Sequence, residues 1–209
     1  MQYSFTGLQS TAQNRIRGLS DAQSHVTMLR YIVPIFDKKL LGPMLQISLV
    51  CSLVAGLYGV IHDQVTFTIS NEYFTKLKYK QFHYLQFDGN DRLKISAIGF
   101  FATFWVGFFF GWLLSRWYLP YCSLSVGRKK IFKSSLIVLL TSALFAVVGS
   151  VFALFRDTTS DYSNWICVFN TYDIESTQNF VHVAYIHNAS YLGALVGLLI
   201  VLVCVKRKS

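Results

Sequence analysis

Four stretches of this sequence contain no Asp, Glu, Lys, Arg or His: Leu40–Ile61, Ile95–Ser115, Ser134–Phe155 and Asn188–Val205, of 22, 21, 22 and 18 residues. A helix rises 1.5 Å per residue, so crossing a hydrocarbon layer about 30 Å thick takes roughly 17–25 apolar residues. All four runs fit. Buried helices of a large soluble protein give shorter runs, about 10–14 residues. The charged content of 14% is also far below the soluble average of about 25%. The expected fold is an all-α membrane protein, a four-transmembrane-helix bundle with a small outer cap.

Orientation follows from Lys and Arg, which are retained on the cytosolic side. Segments 1–39, 116–133 and 206–209 carry five, five and three of them; segments 62–94 and 156–187 carry five and one, with eight acidic residues. The expected layout is a cytosolic N-terminal segment (1–39), a membrane domain (40–205) and a cytosolic basic tail (206–209). Within the membrane domain, 62–94 and 156–187 are outer loops and 116–133 is a cytosolic loop. The net charge of +9 then reflects topology and contact with anionic lipid headgroups at the cytosolic face, not a nucleic-acid footprint. The first forty residues lack a basic start followed by an apolar core, so the first span is expected to act as an uncleaved signal anchor. Val26–Phe36 either lies on the membrane surface or belongs to a partly disordered tail. Topology separates Cys51, Cys122, Cys167 and Cys204, and no intrachain disulfide is expected.

Each span carries small residues four apart: Ala55 and Gly59, Gly107 and Gly111, Ser142 with Ala146 and Ser150, Gly193 and Gly197. Lipid supplies no hydrophobic drive for helix association, so close approach at small residues should hold the spans in one bundle. The absence of ionisable groups from the spans argues against an ion-coupled transporter. In the first outer loop, the alternation Val65–Ser70 predicts a short strand, and Ser70 or Asn71 is placed to cap a helix from Glu72 toward Phe82. In the second, Trp165 and Tyr172 read as interfacial anchors, and Gln178–Asn188 should extend span four outward.

Four of the five histidines, His62, His83, His182 and His187, fall outside the spans. His62 and Asp63 close span one, His187 opens span four, and in an up-down bundle the first and last helices are neighbours. His62, Asp63, Glu72, His182 and His187 therefore form a candidate ligand set for a divalent transition metal, Zn, Fe or Mn. His182 and His187 lie about 140° apart on a straight helix, so their joint ligation requires a distortion. Two other readings stand beside it: interfacial histidines with helix caps, and a metal-free catalytic or proton-relay site. Tyr73 and Tyr191 read as packing residues whose phenols are within reach of such a site.

The strings His62–Thr66 (HDQVT), Glu72–Thr75 (EYFT) and His187–Gly193 (HNASYLG) resemble blocks of an uncharacterised family of small bacterial membrane proteins. The resemblance covers about a quarter of the chain and leaves out the basic N-terminal segment and the KLKYKQF stretch. It implies a four-helix bacterial membrane protein without an established activity. The expectation is a multi-pass protein of a bacterial inner membrane with a metal site on its outer face. A non-catalytic scaffold or assembly partner is the alternative, and a multimeric channel, with further copies of the chain as partners, is a second.

Overall fold

The computed structural model describes residues 38–85, 89–156 and 163–204. The surface-lying N-terminal segment and the basic tail expected from sequence lie outside these residues, apart from Lys38 and Lys39. The chain divides into two units, Met1–Leu41 and Gly42–Ser209; the second holds the bundle, and the first contributes Lys38–Leu41 to the described residues.

Four helices are long and apolar enough to cross a membrane. They are α1 (Lys38–Ile69), α2 (Asp91–Tyr118, continued by a 3-10 turn Leu119–Tyr121), α3 (Leu124–Leu154) and α5 (Thr177–Cys204), with the short α4 (Ile166–Tyr172) between the last two. At 32 residues α1 is about 48 Å long, more than the hydrocarbon thickness, so it carries its polar C-terminal turns beyond its apolar run. The helix α2 starts at Asn90, whose side chain accepts from the Leu93 amide at 3.0 Å.

Small residues decide the packing. A Cβ on Gly59 would run into the carbonyl oxygen of Gly99, and one on Gly99 into that of Gly59, so α1 and α2 touch backbone to backbone. Thr103 Oγ1 adds a 2.7 Å bond from α2 to the Ala55 carbonyl of α1. The helices α3 and α5 meet in the same way, with Gly149 against Ala189 and Gly193 against Phe145. These are positions the four-residue spacing of small side chains marks in the sequence, with Gly99 and Gly149 added. Tyr58 ties the two pairs together, its hydroxyl lying 3.0 Å from Ser142 Oγ and 3.2 Å from Ser190 Oγ.

Beyond the spans, one end of the bundle carries a cap. The expected strand at Val65–Ser70 is absent: α1 runs through Ile69, and no strand occurs among the described residues. A single strand there would have no partner for its backbone groups, whereas the helix satisfies them internally. The threonine hydroxyls join in, Thr66 Oγ1 bonding the His62 carbonyl at 3.0 Å and Thr68 Oγ1 that of Val65 at 2.6 Å.

Ser70 then accepts from the Tyr73 amide, and the chain enters a π-helical segment, Tyr73–Lys78, continued by one α-turn, Tyr79–Gln81. On an α-helix Lys78 would lie about 40° around from Phe74 but about 140° from Tyr73; the wider turn of i→i+5 bonding brings it closer to Tyr73 as well. Tyr73, Phe74 and Lys78 consequently all point inward and are buried. Phe74, Ile95, Ile174, Phe180 and Val183 form the apolar core beneath the cap, with the rings of Trp165 and Phe169 set edge-on to Phe180.

Candidate functional site

At the C-terminal end of the apolar run of α1, Asp63 faces α5. Its Oδ1 lies 3.2 Å from His187 Nε2, and both residues are buried, 5% and 2% exposed. The His62 ring stands edge-on to that of His187 with centroids 4.8 Å apart, and it stacks on Tyr58 one turn below. One ligand atom each from His62, Asp63 and His187 fall within 4.8 Å of one another, a group that could hold a metal ion. Ligands about 2.0–2.2 Å from a common ion in tetrahedral geometry are about 3.4 Å apart, so closure takes a contraction of roughly 1.4 Å across the widest pair, within the reach of side-chain rotation.

The hydrogen bonding of this group is incomplete in an informative way. His187 Nδ1 lies 3.0 Å from the Val183 carbonyl oxygen, which can only accept, so that nitrogen carries the proton. On a neutral ring Nε2 then presents a lone pair to a carboxylate oxygen, and the contact is attractive only with a proton or a cation in between. His62 Nε2 is buried without any hydrogen-bond partner, a condition shared among the described residues only with Ser115 Oγ. An unsatisfied buried polar atom costs about 1–3 kcal/mol. A cation between the three residues would satisfy all of these atoms together. The bond from His187 Nδ1 to a backbone carbonyl is also the outer-shell contact that orients metal-ligating imidazoles.

Not all of the sequence-derived ligand set gathers here. His182 Nε2 is 2.9 Å from Ser150 Oγ on α3, because α5 is a regular helix and turns His182 away from His187. Glu72, expected among the ligands, is not part of this group and is taken up elsewhere. Its carboxylate accepts from the amides of Ser176 at 2.6 Å and Glu175 at 3.2 Å and pairs with Lys76 at 2.6 Å. Lys76 in turn donates to the Asp173 carbonyl, so Glu72 and Lys76 clasp the two loops of the cap at the start of α5.

Burial alone would raise the Glu72 carboxyl, but the Lys76 ammonium and the two amides outweigh it and hold the group below its ordinary value. A depressed carboxyl contributes stability above its unfolded pKa and loses that contribution as pH falls through the folded one. We expect Glu72→Ala to speed amide exchange at Glu175 and Ser176 by about tenfold at neutral pH, and the wild-type protection to fade only in acid below the ordinary glutamate range. Hydrogen exchange resolved at these two amides measures both.

The structure adds residues that sequence reading missed. Lys78 is 9% exposed, with its ammonium 5.7 Å from the Tyr73 ring and 5.8 Å from the Phe82 ring. Burial pushes it below its ordinary value while the Asp63 carboxylate pulls it up. Helical spacing puts it on the face of Phe74, four residues earlier, but a lysine within KLKYK gives no other sign of turning inward. Tyr73 and Tyr191 flank His187, with ring centroids at 4.9 and 6.2 Å. Below the group, the Tyr58, Ser142 and Ser190 hydroxyls form a continuous hydrogen-bonded set, Ser142 Oγ also reaching the Ser190 carbonyl at 3.0 Å.

His62, Asp63, Lys78 and His187 line one end of a cavity of about 910 Å³ that continues between the helix pairs as far as Gln46 and Arg128. The chain matches no protein-family model, no curated protein and no solved structure.

Proposed function

We propose that this multi-pass membrane protein holds one divalent transition metal, Zn, Fe or Mn, through His62 Nε2, one oxygen of Asp63 and His187 Nε2. On this reading the cap faces outward from a bacterial inner membrane and both termini are cytosolic, as the distribution of Lys and Arg favours. The observation that carries the proposal is the buried, partnerless His62 Nε2 beside a His187–Asp63 contact that itself requires a proton or a cation. Two imidazoles and a carboxylate suit borderline divalent ions, and three protein ligands leave a position open. That position faces the cavity, the arrangement of a reactive centre rather than a closed structural site.

The test is elemental analysis of protein purified in detergent without chelator, followed by Co²⁺ titration of the stripped protein. The expected result is close to one equivalent of metal per chain and a ligand-field spectrum from bound Co²⁺, both lost in Asp63→Ala. Less than a tenth of an equivalent of any transition metal, together with a featureless Co²⁺ titration, rejects the reading.

A further inference from the structure

The cavity extends far beyond what three metal ligands need. On α1 its lining runs from His62 down to Gln46, sixteen residues and about 24 Å of helix, most of the depth of a hydrocarbon layer. Between those ends its walls are mostly apolar side chains of all four spanning helices, among them Val54, Phe110, Leu139 and Leu198, and the Tyr58, Ser142 and Ser190 hydroxyls that also line it bond to one another. It is a cleft open at the side: Val50, Leu136 and Leu195, which line it, are also exposed on helices that face lipid. Water finds few polar groups on such walls, whereas a hydrocarbon chain matches them and has a reservoir in the surrounding bilayer.

The polar end decides what the chain carries. A divalent ion and the Lys78 ammonium, set against the single Asp63 carboxylate, leave two positive charges at this end of a largely apolar cleft, where an anion is held strongly. The aromatic faces of Tyr73 and Phe82 keep the Lys78 ammonium beside Asp63 and available to a ligand.

We infer that the cavity takes one chain of an anionic membrane lipid, with its headgroup against the metal centre and Lys78 and its tail between the two helix pairs. The inference rests on the proposed metal for part of the positive charge and names the substrate class of that site as an acyl lipid with a phosphate or carboxylate head.

The full chain is reconstituted in phosphatidylcholine vesicles doped with a phosphatidylglycerol bearing a diazirine at its chain end, or with a phosphatidylcholine bearing the same chain. After irradiation, adducts are mapped by mass spectrometry and metal is measured on the same sample. The expected adducts fall on Phe110, Leu139 and Leu198 inside the cleft, about tenfold more from the anionic probe, a preference that Lys78→Met reduces to about threefold in metal-loaded protein. Ala102→Phe and Ala194→Phe each fill the cleft and should reduce the interior adducts about fivefold without changing the metal content.

Adducts confined to the outward-facing Phe109, Val147 and Leu199 overturn the inference, and if metal is bound in that sample the metal centre stands without the lipid. Interior adducts of equal yield from both probes also overturn it, since the headgroup is then not read. Interior adducts with the anionic preference on protein devoid of metal support the lipid site and remove the metal from it.

Discussion

Replacing His187 by alanine is expected to destabilise the metal-free protein by about 3–5 kcal/mol, whereas His62→Phe should change it by less than about 1.5 kcal/mol. The asymmetry comes from what each ring does without a cation. Without a cation, the 3.2 Å contact of His187 Nε2 with Asp63 is a hydrogen bond only through a shared proton, and removing the ring strands an acid group that is 5% exposed. His62 Nε2 has no hydrogen bond to lose, and phenylalanine keeps the ring contacts with His187 and Tyr58.

Both substitutions should nonetheless abolish metal binding, because each removes one of three ligands, more than the roughly 10–100-fold that outer-shell partners carry. Reversible denaturation in detergent with chelator, paired with metal titration of the same variants, separates the two effects. A ring whose nitrogen is dispensable for stability but required for the metal is retained for binding. Full metal affinity in His62→Phe would refute the ligand assignment.

The parts of this architecture legible in the sequence are those set by the solvent. Hydrocarbon length fixes the four runs, and the spacing of small residues marks most of the contacts where helices meet. The adjacency of His62–Asp63 and His187 was also readable, since first and last helices of an up-down bundle are neighbours. Val65–Ser70 misled because β-branched residues alternate there in either structure; what decides is a neighbouring strand for the backbone to bond, and none occurs among the described residues.

Glu72 and His182 misled for a different reason. A carboxylate and an imidazole are competent ligands anywhere, and their assignment depends on competing partners, here the Ser176 and Glu175 amides and Ser150. Lys78 was missed because a charged side chain within KLKYK reads as solvent-facing, although it shares the face of Phe74 four residues earlier. The cavity is a property of the gap between two helix pairs, and no local pattern encodes a gap.

Those pairs also set the second large effect. Gly99→Leu is expected to cost about 3 kcal/mol or more and to weaken metal binding in whatever protein still folds. A Cβ on Gly99 would overlap the Gly59 carbonyl group, its carbon at 2.8 Å, and would come within 3.1 Å of Asp63 Cβ. Backbone cannot rotate aside as a side chain can, so α1 and α2 must separate, and Asp63 moves with α1. Gly42→Ala is the matched control, since nothing lies within 4 Å of a Cβ there. It lies on α1 before Pro43, whose ring opposes the α conformation of a residue with a Cβ and offsets the gain from lost unfolded-state freedom, so the substitution should change stability by less than about 1 kcal/mol. Thermal unfolding of the two variants in the same detergent, followed by metal titration, provides the comparison. An unchanged midpoint for Gly99→Leu would mean that the helices do not meet at these glycines. Loss of stability with undiminished metal affinity would mean that Asp63 is positioned from α5 rather than from the α1–α2 crossing.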